Sequence, residues 1–145
     1  MHYQLNEGLL ELPESWQDES LNVIKSPVKD GINLVVSREQ IPSGKTREAY
    51  LNEQVQAIRS ELTGYAEKQF TTLEIEGQAC PLLSYQWDSP DGPMHQINMM
   101  WARLPQLLSF TFTRAKPFTQ EQTEQCIATL RAFSPAPAQA QATST

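Results

Sequence analysis

The stretch from Gln69 to Arg114 is cut by turn residues into four short segments, and nothing else in the sequence narrows the fold as far. Gln69–Ile75 and Gln78–Asp88 lie either side of Gly77. Ser89-Pro-Asp-Gly-Pro93 leads into Met94–Arg103, and Pro105 or Gln106 opens a last run to Arg114. Runs of this length between glycine, proline and aspartate predict strands. Consecutive strands joined by tight turns pair antiparallel. The N-terminal part is punctuated in the same way. Tyr3–Asn6 and Leu9–Leu12 flank Glu7-Gly8, and Leu21–Ser26 and Ile32–Ser37 flank Pro27 and Asp30-Gly31.

Two stretches carry a helical period instead. Leu51, Val55, Ile58 and Leu62 recur at spacings of four, three and four, which predicts a helix from Thr46 to Leu62 stopped by Gly64. Thr119-Gln-Glu-Gln122 has the form of a capping box, and Cys126, Ile127, Leu130 and Phe133 make an apolar stripe behind it. A second helix is therefore expected from Thr119 to Phe133, with Pro135 beyond its end. The order is four strands, a helix, four strands, a helix. That predicts an α+β fold, an antiparallel sheet with flanking helices. A chain of 145 residues is about one domain long, and residues 1–133 are expected to form it. The remainder, 134–145, is rich in proline, alanine and glutamine. It has too little apolar surface to offset the entropy of ordering, so a disordered tail is expected there.

Eleven basic residues stand against seventeen acidic ones, a net charge of −6, and the bases are scattered. Nucleic-acid binding needs clustered Lys and Arg, so neither nucleic acid nor an anionic membrane surface is an expected partner. No run of apolar residues approaches the roughly 18–20 that a membrane helix needs. The opening Met-His-Tyr-Gln-Leu-Asn-Glu has no basic segment followed by an apolar one, which points to a cytoplasmic location. Cys80 and Cys126 are too few for a disulfide framework and are expected to be reduced, buried thiols.

Strand periodicity separates two faces. Ile97, Trp101, Phe110, Phe112 and Leu34 fall on one, a plain core. The other carries Met94, Met100, Val35 and Leu107 among Gln96, Asn98 and Thr111. A solvated face of an antiparallel sheet should carry charge; this one carries amides and methionines. It suits a greasy ligand that has polar atoms of its own, such as a lipid or small amphiphile. It equally suits cover by a helix or a second subunit. On the first helix Gln54 stands beside the apolar stripe.

Signals for catalysis are weak. The glycines are isolated turn residues, with no phosphate loop among them. His95 has no second ligand at metal spacing, and no nucleophile is placed beside it by sequence. An enzyme built on His95 and a carboxylate ranks last among the readings, and no metal or cofactor is expected.

The segments Tyr3-Gln-Leu-Asn-Glu-Gly8, Leu12-Pro-Glu-Ser-Trp16-Gln-Asp-Glu-Ser20-Leu-Asn-Val23, Asn33-Leu-Val-Val-Ser37-Arg-Glu39 and Tyr85-Gln-Trp87 resemble the DcrB-related domain family. Within it they resemble the Eag chaperones of bacterial type VI secretion. The resemblance runs from Tyr3 to Phe133 and lies in the joint order and spacing of strand and turn signatures. It implies a PsbP-like fold, a homodimer and no enzymatic activity. It also implies that the protein holds the N-terminal transmembrane helices of a PAAR-containing effector in the cytoplasm before export, without direct membrane insertion. Aliphatic side chains and glutamines of a groove between sheet and helix would hold those helices. By position, the resemblance assigns effector-helix binding to Leu21, Val23, Val35, Gln54, Leu62 and Gln96. Met94, two residues before Gln96 on the same face, joins them. Gly92-Pro93 stands where a further aliphatic contact is expected, which leaves one corner of the groove different.

Overall fold

The computed structural model describes residues 1–16 and 19–137. Its elements follow the order expected: β1 (His2–Leu5), β2 (Gly8–Glu11), β3 (Asn22–Lys25), β4 (Ile32–Gln40), α1 (Arg47–Glu61), β5 (Ala66–Ile75), β6 (Gln78–Ser89), β7 (Gly92–Arg103), β8 (Gln106–Arg114) and α2 (Gln120–Arg131). Every strand pairing is antiparallel. β1 and β2 form a separate hairpin, and the other six strands make one sheet in the order β3-β4-β8-β7-β6-β5. The fold is α+β, an antiparallel sheet with a helix on each side.

Local chemistry accounts for the element ends. The Thr119 hydroxyl accepts from Gln122 N at 3.1 Å while the Gln122 side chain accepts from Thr119 N at 2.9 Å, so the capping box closes both ways. Thr46 caps α1 by accepting from Ala49 N at 3.1 Å. Gly64 does not cap α1 as expected. Leu62 is already extended, at φ −84° and ψ 123°, and ends the helix. Gly64 serves the turn into β5 instead. Its φ is +65°, and a Cβ there would run into the Asp88 carboxylate. β5 starts three residues earlier than its alternation suggests, because a bulge between Glu67 and Gln69 breaks the period. Within the stretch where a tail is expected, Pro135 is buried and Ala136 O accepts from Arg103 at 2.6 Å. The rest of the expected tail, 138–145, lies outside the described residues.

Two cores form. On one side α2 brings Cys126 and Leu130 onto Leu73, Ile75, Cys80, Leu82, Ile97, Met99, Trp101, Phe110 and Phe112. Both cysteines are free, and burial pushes each thiol up to about 11. On the other side α1 lays Tyr50, Leu51 and Val55 on Leu83, Tyr85, Met100, Ala102 and Leu107.

Candidate ligand-binding face

The α1 side of the sheet is not covered along its whole width. Register places Val23 beside Val35, Val35 beside Thr111, Thr111 beside Asn98, and Asn98 beside Leu83. One row therefore crosses the sheet from an aliphatic edge, through polar residues, to the core under α1. Leu83 is fully buried, while Val23 is 57% exposed and Leu21, just before β3, is 61% exposed. Among the described residues nothing covers that β3 edge.

The polar middle is tied together. Trp87 Nε1 donates to Gln96 Oε1 at 3.0 Å, and Gln96 Nε2 donates to Thr113 Oγ1 at 3.0 Å. Asn98 Nδ2 donates to both Ser109 Oγ and Thr111 Oγ1 at 2.9 Å. Asn98 is 2% exposed, and among the described residues its Oδ1 has no partner. These bonds fix the side chains in place. They leave Gln96 one donor hydrogen and acceptor capacity for a ligand.

Of the seven residues expected at the site, Val23, Val35, Met94 and Gln96 lie on this side by register and alternation, Leu21 just precedes β3, Gln54 is on α1 and Leu62 directly follows α1. Val35, Met94 and Gln96 are half-buried in the sheet, and Leu21 and Val23 are exposed at its edge. Gln54 is half-buried on α1, and Leu62, just past its end, is half-buried and packs against the α1-side core. Among the described residues the Gln54 amide makes no hydrogen bond of its own. Gly92 and Pro93 open β7 within the hairpin turn, where Ser89 Oγ donates to Gly92 O at 2.6 Å.

The partners of the two amides were not foreseen: Trp87, Ser109 and Thr113. A signal existed. Leu104 and Pro105 form a two-residue turn, and counting outward from it pairs Asn98 with Thr111 and Gln96 with Thr113.

His95 lies on the opposite side of the sheet, buried beside Arg114 in register. Burial, then Lys68 and Arg114, pull its imidazole below its usual range. Among the described residues no carboxylate hydrogen-bonds to it, and no group of three His, Cys, Asp or Glu side chains could hold a metal ion. No helix there is long and apolar enough to cross a membrane.

The DcrB family model matches residues 7–131. The chain belongs to the DcrB family. The chain is similar to Effector EagT6 of Pseudomonas aeruginosa, 29% identical over 114 residues, 77% of this chain and 79% of that protein. The resemblance to the Eag type is thus met over most of both chains. A crystal structure of a Pseudomonas aeruginosa protein of unknown function, PA94, superposes on this DcrB-family fold with a TM-score of 0.78 at 25% identity. It covers 95% of this chain and 98% of its own. The solution structure of a PsbP protein from Synechocystis sp. PCC 6803 aligns over 89% of this chain and 85% of its own. Its TM-score of 0.47 and 14% identity are too slight to carry an argument.

Proposed function

We propose that this protein is a cytoplasmic chaperone for a type VI secretion effector. It shields the N-terminal transmembrane helices of a PAAR-containing effector on the α1 side of the sheet, in a groove lined by Leu21, Val23, Val35, Gln54, Leu62, Met94 and Gln96, and has no enzymatic activity. The observation that carries this reading is the row from Val23 to Asn98. Aliphatic side chains are left exposed there beside amides that are already held in place. Similarity to EagT6 supports the choice of partner.

The physics suits such cargo. The nine residues of β4 span about 30 Å, the length of about twenty helical residues. Burying a membrane helix stabilises it by about 25 cal/mol per Å² of apolar surface covered. Such burial would accept any greasy helix. The spare hydrogen-bonding capacity of Gln96 and Gln54 adds preference for helices with small polar residues, as between helices inside bilayers. The protein acts as a homodimer. On the α2 side Ile24, Ile32, Leu34 and Val36 form an aliphatic stripe over β3 and β4, exposed or half-buried, the composition expected of a subunit contact.

Co-expression with the N-terminal fragment of a PAAR effector is the test. The fragment is expected to be soluble and to co-purify with this chain. Equal insolubility with and without it overturns the proposal. The rival ligand is a lipid or small amphiphile on the same face, and native mass spectrometry finding one stoichiometrically bound would favour it.

A further inference from the structure

We propose that a cleft of about 640 Å³ at the far end of β7 from Met94 and Gln96 binds a small organic carboxylate through Arg47. The cleft exists because two strands part. Pro81 has no amide hydrogen to give, and the ladder between β6 and β7 stops at Leu82 and Met99. Beyond that point β7 pairs only with β8, and β6 only with β5. The Gln78 side chain bridges the gap, accepting from Ala102 N at 3.1 Å. Ile75, Trp101, Ala102 and Leu104 give the cleft apolar walls, and the start of α1 closes one side.

Three cations, Lys45, Arg47 and Arg103, line this cleft together with two carboxylates, Glu48 and Glu76. Two of the cations are engaged. Lys45 holds both oxygens of Glu53, at 2.8 and 2.7 Å, and Arg103 donates to Ala136 O while lying 4.9 Å over the Trp101 ring. Arg47 is only half engaged. Its Nη2 donates to Glu48 at 2.6 Å, but its Nη1, shielded from solvent, has no partner among the described residues. A guanidinium fork is satisfied best by a carboxylate taken with both oxygens. The Glu48 side chain is 71% exposed and supplies one oxygen, so an incoming carboxylate can displace it and use both nitrogens. The apolar walls receive the body of that molecule, and a flat or aliphatic acid fits them better than a bare inorganic anion.

The test is titration of the full chain with benzoate, followed by backbone amide NMR, with inorganic phosphate at matched ionic strength as comparison. Saturable shifts are expected at Arg47, Glu48, Ala102 and Arg103, with phosphate weaker. Glu48→Gln frees the guanidinium and should tighten binding severalfold. Arg47→Gln should weaken it by about tenfold, as loss of a charge-assisted pair does. Should Arg47→Gln fail to fold, Arg47→Lys replaces it and should also bind more weakly, since it lacks the fork. The proposal is overturned by shifts that do not saturate, by phosphate binding as tightly as benzoate, or by an Arg47 variant that folds and binds as before.

Discussion

The two sides of the six-stranded sheet share every strand and are finished differently. Under α2, the buried cluster is aliphatic, aromatic and sulfur-bearing, from Leu73 to Phe112, with no amide in it. Under α1, the apolar cover ends partway across, and Gln96, Asn98, Ser109, Thr111 and Thr113 take over before the exposed Val23. Apolar packing alone suffices where a helix seals the sheet. Where the cover of α1 gives out, polar side chains bond to one another, and among the described residues only the buried Asn98 Oδ1 of this group is left without a partner. The buried α2-side cluster therefore carries stability, and the outer half of the α1 side is free to carry binding.

Mutations can break or sharpen that division. Ile97→Ala, deep under α2, should destabilise by about 3 kcal/mol, seen as a lower urea midpoint with unchanged slope. Gly64→Ala should cost about 2 kcal/mol, since a Cβ at φ +65° is strained and meets Asp88. It perturbs the exit from α1, so thermal melting should also show the α1-side core loosened. Thr119→Ala, which removes the α2 cap, should cost about 1 kcal/mol in the same melt. Val23→Asp should change stability by no more than about 0.5 kcal/mol, because the side chain is mostly in solvent. The same variant should nevertheless lose effector-fragment solubilisation. If it unfolds the protein as Ile97→Ala does, the division between the sides fails.

The smallest effect concerns pH. The folded protein holds His95 neutral below the pH at which the unfolded chain takes up a proton. Stability conferred by the neutral form is complete above about pH 6.5 and is lost as pH falls through the depressed folded value. His95→Asn should flatten this part of the stability profile, measured by denaturant titration between about pH 7 and 5.

Periodicity and turn chemistry made most of the architecture legible. The Thr119-Gln-Glu-Gln122 box and the stripe from Leu51 to Leu62 marked both helices, and the face containing Ile97, Trp101, Phe110 and Phe112 was separable by alternation alone. Leu21 and Val23 could not be chosen over Asn22 and Ile24 in that way, because both pairs are exposed on a short edge strand and no burial difference distinguishes them. The choice came from family resemblance.

Local sequence by itself determined which segments are strands, where the helices begin, and that amides sit on one face, since backbone propensity, capping and alternation act over a few residues. Tertiary structure decided that β4 pairs with β8 rather than with a neighbour in sequence beyond β3, that β1 and β2 stand apart, and how far α1 reaches across the sheet. Those outcomes depend on contacts between residues far apart in the chain, whose energies no local pattern records. The same long-range packing left Val23 in solvent beside a floor of fixed amides.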